Sequence, residues 1–334
     1  MSTIPKATRA SSTSSTGRSP DAKPLPRWTA ANIPSQRGRF VVITGTGGIG
    51  FEDALALTQA GADVILAGRN PAKGAAAIEK IRSTGPKGTI HFEVLDLANF
   101  GSIKAFAERM QAQHEKLDLL INNAAVMAPP RRQLTSNGFE LQFGTNYLGH
   151  FALTAALLPL LRQGKNARVI NVSSVAARDG VMNFDDLQSA RQYRPMVAYG
   201  QSKLANLMFS LELQQRSDAN RWGVTSIAAH PGISRTELIP NGAGRNSLQG
   251  VVRQVLGPVL FQSPAQGALP TLFAATSPEA KGGAYYGPRG LGETRGLPAV
   301  AKMPPRAENA PEAAQLWEVS ERLSGVWFED PKTR

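Results

Sequence analysis

The sequence predicts a doubly wound α/β fold, in which one parallel sheet is flanked by helices on both faces of a single domain. Three observations carry this reading. Short, near-continuously apolar runs rich in β-branched residues recur along the chain, amphipathic segments of helical period separate them, and a glycine cluster closes the first run. Strands that are apolar on both faces need cover on both faces, and crossover helices supply it. With 334 residues and 42% hydrophobic content, the chain can build one large core.

The strands follow in order. Residues 40–44 form the first, with a helical pattern over 49–60 behind the glycines. A second strand spans 63–67. Asn70-Pro71 then caps the next helix, with proline at its first position. Residues 90–95, 117–121, 168–172 and 224–228 supply four more strands. The uncharged stretch 141–161 contains Gln142, Asn146, His150 and two glycines, and reads as a buried or interface helix rather than a membrane span. Residues 233–262 break the rhythm with Pro240, Gly242, Gly244, Gly257 and Pro258 and read as a lid over a substrate pocket. The catalytic domain is expected over 25–334.

The formal charge of +12 invites a nucleic-acid reading, but its distribution argues against one. Residues 1–40 hold Lys6, Arg9, Arg18, Lys23, Arg27, Arg37 and Arg39 against Asp21 alone. Half of the excess therefore sits in a leader rich in Ser, Thr, Pro and Ala, expected to be disordered over 1–24. The leader lacks an apolar core, so it is not a secretory signal. Its composition also has some likeness to an organellar transit peptide. The chain has no cysteine, which excludes disulfides, thiolate metal sites and cysteine nucleophiles and fits a reducing compartment. His91, His114, His150 and His230 lie far apart without metal-ligand spacing, so no metal site is expected.

Gly45, Gly47 and Gly50 satisfy G-x-G-x-x-G between a strand and a helix, the context this pattern requires. Thr46, Gly48 and Ile49 complete the loop. Missing side chains let the backbone approach a pyrophosphate, and the helix N-terminus offers free amides and positive potential. The chain is thus expected to bind a dinucleotide. An NAD site places an acid at the end of the second strand. Here that position is Gly68, followed by Arg69, whose guanidinium suits a 2′-phosphate. NADP(H) is the expected cofactor.

Tyr199 and Lys203 stand four residues apart in a helical segment, hence on one face. An ammonium about 4 Å from a phenol attracts its anion by about 4 kcal/mol at an effective dielectric near 20, or roughly three pKa units. The phenol then exchanges protons near neutrality, as acid–base work on an alcohol or ketone requires.

With these motifs in order, the chain resembles the short-chain dehydrogenase/reductase family over residues 38–330. The resemblance implies a Rossmann-like fold and a tetrad of Asn146, Ser174, Tyr199 and Lys203. Tyr199 would be the acid–base group, Lys203 would tune it and hold the nicotinamide ribose, and Ser174 would bond the substrate oxygen. Asn146 would position a water linking Lys203 to solvent. The Asn-Asn-Ala-Gly motif of the family corresponds to Asn122, Asn123, Ala124 and Ala125, with alanine in the last place. Asp96-Leu97 matches its adenine-contacting pair, and Pro231, Gly232 and Thr236 match its Pro-Gly-x-x-x-Thr. Ser174 and Tyr199 are 25 positions apart. That long gap is similar to the retinol-dehydrogenase-like and WW-domain-oxidoreductase-like branch, which implies lipophilic alcohol or carbonyl substrates. The glycine loop is one residue shorter than the family's, so Gly47 is expected to supply the positive φ of a tighter turn.

The expected activity is NADP(H)-dependent hydride transfer between nicotinamide and a lipophilic alcohol, ketone or aldehyde. Reduction of a carbon–carbon double bond, or cofactor sensing without turnover, are the alternatives. His230 is read as structural. No nucleic-acid partner is expected. Similar proteins pair through the helices at 146–162 and 197–215, which implies a homodimer. The cytoplasm is the expected location, with organellar targeting by the leader as the second reading.

Overall fold

The computed structural model describes residues 27–233, 262–290 and 292–328. The leader, Thr236 and all but the end residues of the expected lid lie outside them.

Eight strands form one sheet in the order β3-β2-β1-β4-β5-β6-β7-β8. Their spans are β1 Phe40–Thr44, β2 Asp63–Gly68, β3 Ile90–Val94, β4 Leu119–Asn122, β5 Arg168–Val172, β6 Thr225–Ala229, β7 Tyr285–Gly290 and β8 Arg295–Val300. All neighbours pair in parallel except β7 with β8. The six expected strands are present, shifted by two residues at most. β7 and β8 are absent from the sequence reading for a physical reason. Tyr-Tyr-Gly-Pro-Arg-Gly and Arg-Gly-Leu-Pro-Ala-Val carry glycine and proline where a strand pattern carries β-branched residues.

The sheet alternates its apolar residues between two layers. Val41, Ile43 and Leu66 face a core built with the helices α1 (Gly48–Gln59), α2 (Pro71–Arg82) and α6 (Pro264–Thr276). Val42 and Ile65 face a core built with α3 (Phe100–Gln113), α4 (Gly149–Leu161), α5 (Pro195–Asn220) and α7 (Ala310–Ser324). Local chemistry sets the helix starts. The side chains of Asn70, Asn99, Ser263 and Asn309 accept from amides in the first turns of α2, α3, α6 and α7, and proline opens α2 and α6. The 141–161 stretch becomes a π-helical turn, Phe143–Leu148, running into α4. Apolar residues all round α4 match its burial on nearly every side.

Part of that burial comes from the chain's own C-terminus. Trp317 of α7 and Phe328 pack edge-on against Phe151 of α4 at 5.1 Å, and both rings lie within 6.2 Å of Phe209 of α5. The helices from which a homodimer was expected, 146–162 and 197–215, therefore spend apolar surface on α7. A dimer through that part of them would have to displace it.

Chain order reverses between β1 and β4: β2 and β3 extend to one side of β1, and β4 onward to the other. The crevice at such a switch point, beyond the carboxyl ends of the strands, is where ligands bind in open α/β sheets.

Candidate active site

The glycine loop lies at this switch point. Gly45 has φ +94° and Gly48 φ +54°, whereas Gly47 is extended at φ −131° and caps α1. The tighter turn thus takes its positive φ from Gly45 and Gly48, which corrects the expectation for Gly47. A Cβ on Gly50 would come within 2.5 Å of the Gly45 carbonyl oxygen, and one on Gly45 within 2.9 Å of Asn123 Nδ2. These two positions need glycine for close packing. The first amides of α1 have no partner within the helix and point toward the loop.

The β4 exit is tied to the same place. Asn123 donates its Nδ2 to the Thr44 carbonyl at 2.8 Å, and the amides of Asn123 and Ala124 both donate to Thr44 Oγ1. Behind them lies a buried histidine. His150 Nδ1 meets the Asn146 carbonyl at 2.9 Å and its Nε2 meets Thr44 Oγ1 at 2.8 Å. A carbonyl only accepts, so the ring's proton sits on Nδ1 and Nε2 accepts from the threonine. Burial lowers the His150 pKa to about 4 and keeps the ring neutral.

A cavity of about 410 Å³ runs along this crevice, lined by Gly45, Gly47, Gly48, Ile49, Arg69 and Asn123 among others. Met127, Pro129, Pro130, Gln133 and Leu141 extend the lining. The sequence reading assigned none of these five to a site, because the mixed segment after β4 carries no motif. Arg69 is exposed at the end of β2. Bare glycine backbone, a helix N-terminus and an exposed guanidinium fit a phosphate-bearing dinucleotide. Asp96 turns one carboxylate oxygen to the Ala98 amide at 3.0 Å, and Leu97 is buried against Gly149. A wider cleft of about 750 Å³ opens between α2 and β3, away from these residues.

The expected tetrad comes from three elements. Ser174 follows β5 and caps a 3-10 turn, Val175–Asp179, accepting from the Ala176 amide at 3.2 Å. Its side chain also pulls on the Tyr199 phenol. Tyr199 and Lys203 are both buried on the first turns of α5. Burial pushes the Tyr199 phenol up to about 12, against the pull of Ser174. Burial also lowers the Lys203 ammonium to about 7. Its Nζ donates to the Val172 carbonyl at 3.0 Å and sits 5.8 Å from the centre of the Tyr199 ring. The sequence-based expectation of a phenol drawn toward neutrality is corrected: burial raises Tyr199 instead.

Asn146, in the π-helical turn, joins the tetrad as a brace. Its Oδ1 accepts from the Val126 amide at 2.7 Å, while its Nδ2 donates to the Val126 carbonyl and to Ser202 Oγ. The side chain is fully engaged, which leaves the backbone carbonyl, shared with His150, as the group able to hold a water. Pro231 and Gly232 follow β6, with Gly232 at φ +64°. His230 is buried, as a structural histidine should be, but it pairs with Glu293, which sequence reasoning missed.

Such a crevice, beside a buried tyrosine and lysine and a half-buried serine, suits a dinucleotide-binding oxidoreductase. A family model described as short chain dehydrogenase matches residues 39–243, and the chain belongs to that family. The family works with nicotinamide cofactors. Retinol dehydrogenase 12 of Mus musculus is 39% identical over 304 residues, covering 90% of this chain and 90% of that protein. Polyprenol dehydrogenase of Mus musculus is 40% identical over 255 residues, covering 75% of each. Among solved structures, an uncharacterised protein from Mycobacterium paratuberculosis superposes with a TM-score of 0.76. It is 38% identical and covers 91% of this chain and 100% of its own. The chain is an oxidoreductase with retinol and polyprenol dehydrogenases among its relatives.

These relatives overturn the expected cytoplasmic location. Retinol and polyprenol are isoprenoid alcohols whose apolar chains partition into bilayers, so an aqueous compartment is not supported by the relatives named for them. Lack of cysteine is no counterweight, since it fits many settings. Among the described residues, no helix is long and apolar enough to cross a membrane.

Proposed function

We propose that the chain transfers hydride between NADP(H) and a lipophilic alcohol–carbonyl pair, with Tyr199 as the acid–base group. The observation that carries this reading is the buried Tyr199 hydroxyl on Ser174, with Lys203 one turn further along α5. The cofactor supplies or accepts the hydride. At the substrate oxygen, Tyr199 delivers or removes the proton and Ser174 donates a hydrogen bond to the charge that develops there. A phenol held protonated up to about 12 is set up to donate to a substrate oxygen. Lys203 supports the phenolate with its charge, and Asn146 fixes the Val126 segment against α5.

NADP(H) is favoured over NAD(H) by Arg69 at the edge of the crevice and by Gly68 in place of an acid. The names of the retinol and polyprenol dehydrogenases support an isoprenoid alcohol or its aldehyde as substrate class. A panel of aldehydes, ketones and enones, including retinal and a polyprenal, followed by NADPH absorbance, tests the proposal. Turnover of aldehydes or ketones is expected. Turnover of enones at the carbon–carbon bond alone would replace it with the double-bond reductase, and tight NADPH binding without any turnover would replace it with a sensor.

A further inference from the structure

Glu293 stands in the turn between β7 and β8 with φ +67°, a left-handed conformation that costs a residue with a Cβ. Gly292 precedes it, so the turn already uses glycine. What glutamate adds at 293 is a carboxylate, and three separate segments donate to it. Arg178 Nη2 reaches Oε2 at 2.6 Å, His230 Nε2 reaches the same oxygen at 3.2 Å, and the Lys302 amide reaches Oε1 at 2.9 Å. Burial works against this charge, but His230, the Lys302 amide and Arg178 outweigh it and hold the carboxyl down at about 2.

Two of these donors lead toward the site. His230 is fully buried, and its Nδ1 accepts from the Gly232 amide at 3.2 Å. The ring proton therefore sits on Nε2 and is donated to Glu293. Gly287 makes room for the ring, since a Cβ there would collide with it. Tyr285 lies against the ring with centroids 5.0 Å apart, and its hydroxyl donates to the Ser174 carbonyl at 3.4 Å. Arg178 belongs to the 3-10 turn that Ser174 caps, and it also donates to the Gly292 carbonyl at 3.1 Å. The Ile233 amide donates to the Thr294 carbonyl at 2.8 Å.

We propose that Glu293 is a positioning residue which, through His230 and Arg178, holds the Pro231–Gly232 loop and the Ser174 segment in one fixed relation. The proposal rests on the oxidoreductase reading above, in which Ser174 meets the substrate, and on the family resemblance, whose Pro-Gly motif at 231–232 implies a cofactor contact. These two segments leave different strands, β5 and β6, and strand pairing alone does not set the geometry beyond the strand ends. A displacement of about 1 Å between reacting groups costs roughly a hundredfold in rate. A carboxylate bonded to both segments supplies the missing constraint from the far side of the turn.

Glu293→Asn tests this, because asparagine tolerates the left-handed conformation but cannot span to His230 and Arg178. Glu293→Gly, which also relieves the backbone, is the second variant. In the full chain both should fold, with a somewhat lower melting temperature, since the buried His230 Nε2 proton loses its acceptor. Amide hydrogen exchange should rise about tenfold in residues 174–180 and 230–233, where local opening is no longer opposed by the carboxylate. NADPH affinity should fall and kcat for a carbonyl substrate should drop about tenfold or more. Wild-type exchange in both segments, with wild-type NADPH affinity in both variants, would overturn the proposal. Exchange needs no turnover, so a wild-type chain that reduces no carbonyl sinks the oxidoreductase substrate reading while the exchange result still judges Glu293.

Discussion

The Lys203 ammonium nitrogen lies 5.8 Å from the centre of the Tyr199 ring and is turned to the Val172 carbonyl at 3.0 Å. Burial keeps the Tyr199 proton in place up to about 12, against the pull of Ser174. Tyr199→Phe removes the proposed proton donor while preserving the buried ring. Turnover should fall by about three orders of magnitude, within the range for losing a general acid, with NADPH affinity unchanged. Steady-state rates beside a fluorescence titration separate the two effects. A phenylalanine variant with near-normal turnover would remove Tyr199 from the mechanism.

Lys203 costs the fold stability, and the sign can be worked out. Its pKa is lowered from 10.5 to about 7 by burial. Below pH 7 both folded and unfolded chains carry the proton, and the folded chain bears the full cost. Between about 7 and 10 the unfolded chain binds more protons than the folded one, so stability rises with pH. Lys203→Met should abolish turnover yet stabilise the chain at pH 6 by on the order of a few kcal/mol, with the gain shrinking toward pH 10. Urea midpoints of both chains across this range provide the measurement. A constant difference between them contradicts the burial of a charged lysine.

Much of the site was legible because its parts are local. Gly45, Gly47 and Gly50 sit in one loop, and Tyr199 and Lys203 on one helical face, so spacing alone brings them together. Ser174 and Asn146 needed the family resemblance, since residues 25 and 53 positions from Tyr199 share no periodicity with it. Lys203's actual partner was not legible. A backbone carbonyl at Val172 has no sequence signature, and the balance between burial and attraction depends on distance. Glu293 escaped for a similar reason, because β7 and β8 are written in glycine and proline and nothing local links 293 to His230.

Asp53 is buried within α1, and among the described residues neither carboxylate oxygen has a partner. Burial, with the neighbouring Glu52, raises its pKa well above the ordinary carboxylate value. Such a group favours folding only while protonated. Its contribution is fullest below the unfolded pKa of about 3.9 and is lost as pH rises toward the folded value. Asp53→Ala should therefore stabilise the chain by about 1–3 kcal/mol at pH 7, with a smaller gain near pH 4. Equal or lower thermal stability of the variant at pH 7 would show that this acid has a partner in solution.

Trp317 anchors α7 on the outer face of α4 and α5, stacked among Phe151, Phe209 and Phe328 with centroids 4.4 to 5.8 Å away. Trp317→Ala should cost about 3–5 kcal/mol, the usual range for a fully buried aromatic. It should also expose the face from which a homodimer was expected. Self-association of the variant, measured by sedimentation, is expected where the parent chain stays monomeric. A parent chain that is already dimeric and insensitive to this substitution would mean that pairing uses another surface.

Arg69 decides the cofactor if the charge argument at the β2 end is sound. A 2′-phosphate carries nearly two negative charges, and a guanidinium bonded to it contributes about 1.5–3 kcal/mol. Arg69→Ala should thus weaken NADPH binding about 10–100-fold and change NADH binding little, since the diphosphate rests on the glycine loop and not on this side chain. Gly68→Asp approaches the same preference from the opposite side. Its Cβ would come within 2.9 Å of Thr46 Cγ2, a side-chain methyl that can rotate aside, so the variant should fold. The new carboxylate would repel the 2′-phosphate and accept from a 2′-hydroxyl instead. Together the two substitutions should turn the preference toward NADH. If both leave the NADPH-to-NADH ratio unchanged, phosphate recognition does not lie at the end of β2, and NADP(H) loses its main support.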